Sequence, residues 1–366
     1  AELHFSSSRI DVLAGCRFAH FLQYGLRAQE REPAEFDSRF YGTFVHDVLE
    51  HVVQQTEREG GFAAVPRSRV QELAQERMEQ NAQTLLETFP DSGRTGYLLR
   101  RTFDEVTQVV DELYDELSVS AFRPKFCELE FSARGALPGV AFAGERCRGV
   151  VEGFVDRVDV WQSGGRPYVR VVDYKTGKKS FDYTNVLHGR GLQMLLYLFA
   201  LVRQGGHLLH GEPLPAGVLY FPARIERVSV RDRLAQAEIE KERRKQLRRS
   251  GVLLNSDPVL EAMEPCGGSP RFLPYTLDKE GRKTGDLASF AQLSQLERFV
   301  FRTVAALGDE LADGRIDPDP CIRDAKDSAC AFCPYSEVCA GHEQPRWLKK
   351  ITAEEFWQTL ERREHG

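Results

Sequence analysis

The run Val150-Val151-Glu152-Gly153-Phe154-Val155-Asp156-Arg157-Val158-Asp159-Val160 is followed, across Ser163-Gly164-Gly165-Arg166-Pro167, by Val169-Arg170-Val171-Val172-Asp173-Tyr174-Lys175-Thr176-Gly177. Two β-rich segments joined by a Gly-containing turn cluster predict an antiparallel hairpin. Side chains alternate across a strand, so Asp173 and Lys175 project from one face and Tyr174 from the other. The paired strand brings Asp156 beside Asp173. Two carboxylates at the end of an apolar hairpin repel each other unless a cation sits between them, and hard oxygen ligands of this kind suit Mg²⁺ or Mn²⁺. Lys175 gives the pair its chemical meaning. An ammonium beside a metal-activated water orients or helps deprotonate it and offsets charge on a phosphorane-like transition state, which is the chemistry of phosphodiester hydrolysis. An isolated D-x-K is common, and a surface hairpin with incidental charges is the competing reading of this motif alone.

Outward from the hairpin, residues 8–120 carry a helical rhythm. Apolar residues recur at three and four in Phe44, Val45, Val48, Leu49 and Val52, and again in Phe103, Val106, Val110, Leu113 and Leu117. Gly60 to Pro66 and Pro90 to Gly96 read as loops. Residues 125–172 read as short strands, 191–202 as a buried helix, 217–221 as one further strand, 231–249 as an exposed charged helix, and 289–311 as an amphipathic helix. The basic run from Lys241 to Arg249 reads first as a solvated helix face. The 366 residues are 42% apolar and 28% charged, the profile of a globular protein with a sizeable core, and the net charge of −6 makes any nucleic-acid contact a local one. No GxxxxGK phosphate loop is present, so the chain has no nucleotide-driven motor of its own. No apolar stretch approaches membrane-spanning length and the opening lacks a signal-peptide pattern, which predicts a cytoplasmic protein. The first residue, Ala1, leaves processing and excision from a longer chain both open.

Three motifs in one order carry a family resemblance. Gly153-x-x-Asp156-Arg157-x-Asp159, then Asp173-Tyr174-Lys175-Thr176-Gly177, then Gln193-x-x-x-Tyr197 resembles the RecB-type branch of the PD-(D/E)xK nucleases. Upstream, Gly42-Thr43-Phe44-Val45-His46-Asp47-Val48-Leu49-Glu50 resembles the GxxxHxxLE helix of the same branch. The resemblance implies a restriction-endonuclease-like α/β core with a mixed central sheet and helical insertions. It implies that Asp156, Asp173, Lys175, Gln193 and Tyr197 are catalytic, and that His46, Asp156, Asp173 and Tyr174 hold the metal. Glu50, one turn beyond His46, is placed to orient it from behind. An acidic residue on the first sheet strand corresponds to Glu128 or Glu130, neither of which is assigned a role. Helix packing is the plainer reading of Gln193 and Tyr197, and a packed core histidine that of His46.

Eight cysteines in a cytoplasmic chain are not expected to form disulfides. Cys330-x-x-Cys333 followed by Cys339 converges thiolates on one centre but leaves it a ligand short. Cys16 is the best fourth candidate, with Cys321 an alternative. The arrangement resembles the iron-staple form of the RecB-like nucleases, found in the C-terminal nuclease domain of AddB and in CRISPR-adaptation exonucleases. In those families one Cys before the core and three after it hold a [4Fe–4S] cluster. The chain's length and insertions favour the AddB type. Zinc suits a Cys₄ site equally well on chemistry alone. A centre joining Cys16 to Cys330 closes almost the whole chain into a loop and, by analogy with a disulfide, contributes on the order of 4–5 kcal/mol. Cys127, Cys147 and Cys266 match no motif.

The expected organisation is one nuclease domain over residues 1–366: a helical part to 120 with Cys16 and His46, a catalytic core over 121–230, a helical insertion over 231–320 and a cysteine-rich segment over 321–366. The expected function is that of a metal-dependent DNA exonuclease acting on single-stranded DNA or processed ends in recombinational repair, with a helicase subunit or helicase-like domain as partner. A catalytically silent DNA-end-binding or scaffolding module that keeps the fold and cluster is the alternative, and the intact Asp156, Asp173 and Lys175 speak against it.

Overall fold

Strand β4 (Arg148–Ser163) and strand β5 (Arg166–Lys175) form the expected hairpin and the centre of an eight-stranded sheet. Gly164 and Gly165 close it with φ of 58° and 77°, the left-handed pair that a tight turn matching strand twist requires and that a side chain would strain. The computed structural model describes residues 2–28, 38–88, 93–177, 180–225, 236–339, 341 and 344–365.

Strand β4 is long enough to serve two sets of neighbours. Its first half takes β1 (Glu2–Ser6) in parallel and β3 (Val140–Ala143) antiparallel; its second half takes β2 (Arg123–Phe131) antiparallel. Beyond β5 come β6 (Leu214–Pro222), parallel to it, then β7 (Ser250–Leu254), antiparallel, and the short strand Leu287–Ala288, parallel to β7. The sheet is thus mixed. A parallel β5–β6 pair needs a crossover, supplied by the helix Gln193–Gln204. Three expectations are corrected here. Glu2–Ser6 is a strand, and so are Ser250–Leu254 and Leu287–Ala288 inside the stretch read as a helical insertion. These strands are only two to five residues long, too short for a periodic signal, and they form because partners distant in sequence offer them an edge. The loop read over Pro90 to Gly96 is helical from Gly93 onward, and of the helix read over 231–249, residues 231–235 lie outside the described set.

Around the sheet lie α1 (Ser7–Gly15), α2 (Arg17–His20), α3 (Ser38–Arg58), α4 (Arg67–Thr88), α5 (Gly93–Leu117), α6 (Tyr183–Leu187) and α7 (Gln193–Gln204). In α7, Met194 to Leu201 are all buried, which explains its almost uniformly apolar sequence: it is surrounded rather than half-exposed. It packs on β5 and β6, where Val169, Val171, Val218 and Leu219 are buried, each such residue contributing about 1.5–3 kcal/mol. The helix Phe290–Ala312 starts where its sequence says, with Ser289 and Gln292 forming a capping box.

The two ends of the chain meet through the protein's own bonds. Arg17 pairs with Glu310 and Asp319, the Phe18 amide donates to the Asp317 carbonyl at 3.1 Å, and Arg346 Nη2 donates to the Ala14 carbonyl at 2.7 Å. Cys321 is buried with its thiol 3.3 Å from that same carbonyl. Among the described residues no helix is long and apolar enough to cross a membrane.

Candidate active site

The register sets Arg157 opposite Val172, so the next pair along, Asp156 and Asp173, share the other face of the hairpin. Like charges opposed across a strand pair are destabilising, and the consequence is visible at Asp156. Burial, then Asp173, then Glu128 push its carboxyl well above the ordinary carboxylate range. Asp173 itself is buried and ion-paired with Lys175, whose ammonium also lies 5.7 Å from the Tyr220 ring.

His46 reaches this pair from α3. Its Nδ1 lies 3.5 Å from Asp156 Oδ2 and its Nε2 lies 2.8 Å from the Tyr174 carbonyl oxygen. That contact fixes the ring's orientation and, with Nε2 as donor, leaves the Nδ1 lone pair facing Asp156. Burial holds His46 below the usual imidazole pKa, in the neutral form that ligates metals. The Tyr174 amide donates to Asp156 Oδ2 at 2.7 Å. One residue's backbone therefore holds both His46 and Asp156. The orienting role expected of Glu50 falls instead to the Tyr174 carbonyl, while Glu50 accepts from Gln54 Nε2 at 2.8 Å.

Glu128 completes the group. It follows Cys127, which pairs with Arg157, and its φ of 49° is unusual for a residue with a side chain. Strain of this kind gathers at functional sites. His46, Glu128 and Asp156 offer ligand atoms that all lie within 4.8 Å of one another. Donor atoms gathered this closely are near the roughly 4.2 Å span between opposite ligands of an octahedral Mg²⁺ with bonds of about 2.1 Å, so the group could hold such an ion. The chemistry fits as well: three carboxylates, Glu128, Asp156 and Asp173, crowd one ammonium, and Glu128 too is raised, by burial, Glu50 and Asp173. No pattern in the sequence separates Glu128 from Glu130; the left-handed backbone does.

Gln193 opens α7, half-buried, and Tyr197 follows one turn later. Tyr197 is almost fully buried, stacks on Phe131 at 4.9 Å, and donates to the Glu152 carbonyl at 3.2 Å. Gly153 has a φ of 154°, and a Cβ there would stand 2.2 Å from the Tyr197 hydroxyl. The Gly and the Tyr of the two motifs are thus one packing unit, locking α7 to β4 just ahead of Asp156.

On the opposite face, Arg157 binds Asp159 through Nε and Nη2 at 2.8 and 3.1 Å and donates from Nη1 to the Tyr174 hydroxyl at 2.8 Å. Arg170 joins Asp159 to Glu116 of α5, and Glu116 also receives Arg249. Arg249 ends the basic run that reads as a solvated face, yet it is buried: the run turns inward where the helix Gln236–Leu247 stops.

Cys16, Cys330, Cys333 and Cys339 line one cavity of about 210 Å³. Cys321 is turned away toward Ala14.

This geometry is that of a PD-(D/E)xK nuclease, and residues 4–340 match the model of the PD-(D/E)XK nuclease superfamily. The chain belongs to that superfamily. Among named proteins it is similar to the B-type subunit of the ATP-dependent helicase/deoxyribonuclease of Moorella thermoacetica, at 33% identity over 344 residues, 92% of this chain and 30% of that protein. The corresponding subunits of Caldanaerobacter subterraneus subsp. tengcongensis (31% over 356 residues, 92% of this chain and 30% of that protein) and of a Thermoanaerobacter species (29% over 375 residues, 99% and 32%) are similar too. The chain spans about a third of the length of these relatives.

Proposed function

We propose that this chain is a divalent-metal-dependent deoxyribonuclease, an exonuclease acting on single-stranded DNA or processed DNA ends in recombinational repair alongside a helicase subunit or a helicase-like region of a longer chain. The observation that carries the reading is the convergence of His46, Glu128 and Asp156 beside the Asp173–Lys175 pair. His46, Asp156 and Asp173, with Glu128 and the Tyr174 carbonyl alongside, would hold Mg²⁺ or Mn²⁺. When bound, the cation supplies Lewis-acid charge at the scissile phosphate. Lys175 orients the attacking water and offsets negative charge as it develops. Gln193 orients substrate from the start of α7, and Tyr197 keeps that helix seated against β4. The names of the relatives, which join a helicase and a deoxyribonuclease, support the assignment to DNA ends.

The four cysteines of the small cavity are assigned to a [4Fe–4S] cluster joining the N- and C-terminal segments. The observation behind this assignment is that all four cysteines line one small cavity; zinc is the competing occupant of such a set.

The test is cleavage of an end-labelled single strand by the purified chain with Mg²⁺ or Mn²⁺ and with EDTA. Metal-dependent cleavage lost in Asp173→Ala is expected; binding without cleavage would instead support a silent end-binding module. For the cluster, stoichiometric iron and sulfide with a visible absorption band are expected, and a colourless, unstable Cys16→Ala chain. Stoichiometric zinc would overturn the staple.

A further inference from the structure

A wide cleft opens beside the acidic group rather than over it. This cleft, of about 1160 Å³, has in its wall Tyr220, whose ring lies 5.7 Å from the Lys175 ammonium, and extends past α1 and α6 to the cysteine-rich segment, where Phe332 lies 95% exposed between Cys330 and Cys333. Among the described residues three cations line it: Arg190, Arg323 and Lys326. The carboxylates among them are engaged within the protein. Asp11 accepts the Gly191 amide at 2.7 Å. Asp182 caps α6 through the Thr184 amide at 2.7 Å and takes Arg323 Nη1 at 2.9 Å. Asp327 lies 3.0 Å from Arg323 and 3.8 Å from Arg190. What remains is donor capacity. Among the described residues Arg323 Nε and Nη2, and Arg190 Nη1 apart from its 3.8 Å ion pair with Asp327, have no hydrogen-bond partner. Buried donors without acceptors are costly, and a guanidinium edge matches a phosphate with two parallel hydrogen bonds.

We propose that this cleft carries the DNA strand to the Lys175 end of the site, with backbone phosphates on Arg190 and Arg323 and a base stacked on Phe332. The inference rests on the nuclease reading and specifies where its substrate lies. The strand must be single there, because the face of a paired base is covered by its neighbours and only an unpaired base offers its face to a side chain. Lys326, exposed at the rim, adds long-range attraction that fades with salt.

The experiment is fluorescence anisotropy of a labelled oligothymidylate with the full chain in EDTA, which prevents cleavage. Phe332 touches solvent almost everywhere, so Phe332→Ala leaves the fold intact, which an unchanged melting midpoint checks. Loss of one stacked base weakens binding about tenfold, and Phe332→Trp restores it. Arg190→Gln weakens single-strand binding, and Lys326→Glu lowers the slope of log affinity against log salt by about one. Wild-type affinity and salt slope in Phe332→Ala, Arg190→Gln and Lys326→Glu, with the parent chain binding and cleaving single strands, would overturn the cleft and leave the nuclease reading standing. A parent chain that neither binds nor cleaves single strands would overturn both.

Discussion

The two faces of the β4–β5 hairpin carry charges at neighbouring positions and treat them in opposite ways. On one face Arg157, Asp159 and Arg170, with Glu116 and Arg249 from outside the hairpin, are buried and pair with one another, and the buried Glu112 lies 4.0 Å from Arg249 as the third carboxylate to the three guanidiniums. Burial alone would raise Glu116, but Arg249, Arg170 and Arg157 outweigh it and hold the carboxyl at about 2. On the other face Asp156 and Asp173, joined by Glu128, have Lys175 as their partner in charge, and Asp156 is raised rather than lowered. Charge balance, not the presence of charge, separates structure from site. A compensated network fixes the register of the strands, and an uncompensated one creates a demand for a cation.

The sharpest way to break this contrast is to delete one acid from each face. Glu116→Ala takes from Arg249 its hydrogen-bonded carboxylate and from Arg170 one of its two, and should cost about 3–5 kcal/mol, read as a fall in the denaturation midpoint. Asp173→Ala or Asp156→Ala should abolish cleavage while keeping single-strand binding, with a melting midpoint equal to or above that of the parent because a like-charge contact is relieved. Equal destabilisation by both kinds of variant would erase the distinction. The pH dependence follows with a definite sign. Glu116 is depressed in the folded chain, so its contribution is present above the ordinary glutamate value of 4.5 and is lost as pH falls toward 2. The stability gap between the parent and Glu116→Gln should narrow over that interval.

Much of one face was legible in the sequence and little of the other. The hairpin, its glycine turn and the Asp156–Asp173–Lys175 set follow from strand alternation and a local motif, because a hairpin's register depends on residues close in sequence. The buried network depends on Glu116 and Arg249, which lie far from the hairpin in the chain, so Arg157 and Asp159 stand in the sequence as letters of a motif with nothing to show what they bind. The same reason hides the strands Glu2–Ser6 and Ser250–Leu254. Glu128 was hidden differently: it sits in a recognisable strand, but what brings it to the group is a backbone conformation that its residue type does not announce.

Within the uncompensated face, Lys175 and His46 divide the labour. Lys175→Ala should lower turnover by about 10²–10³-fold with metal affinity unchanged or slightly raised, since it removes a positive charge near the cation. Near-normal turnover in that variant would leave Lys175 as a partner for Asp173 alone. His46→Ala should shift the metal concentration giving half-maximal activity upward, with much of the turnover recovered at excess Mg²⁺. A metal titration that is superimposable on the parent's would make His46 a packing residue of α3.

The smallest effect expected, and the most discriminating, is that of Tyr174→Phe. Tyr174 joins the two faces: its hydroxyl accepts from Arg157 on the balanced side, while its amide and carbonyl hold Asp156 and His46 on the other. Removing the hydroxyl alone leaves Arg157 Nη1 buried without that acceptor, which should cost about 1–3 kcal/mol. The peptide bridge is untouched by the change, and the ring still packs edge-on against Phe221 at 5.5 Å and against His46 at 5.8 Å. Turnover at saturating metal should therefore stay near that of the parent, with only a modest rise in the metal requirement as β5 loosens. A variant that keeps its stability but loses activity would mean that the hydroxyl serves the chemistry and that the two faces are not separable. A variant that loses stability while its metal titration stays in place would show that the balanced face supports the fold without tuning the site.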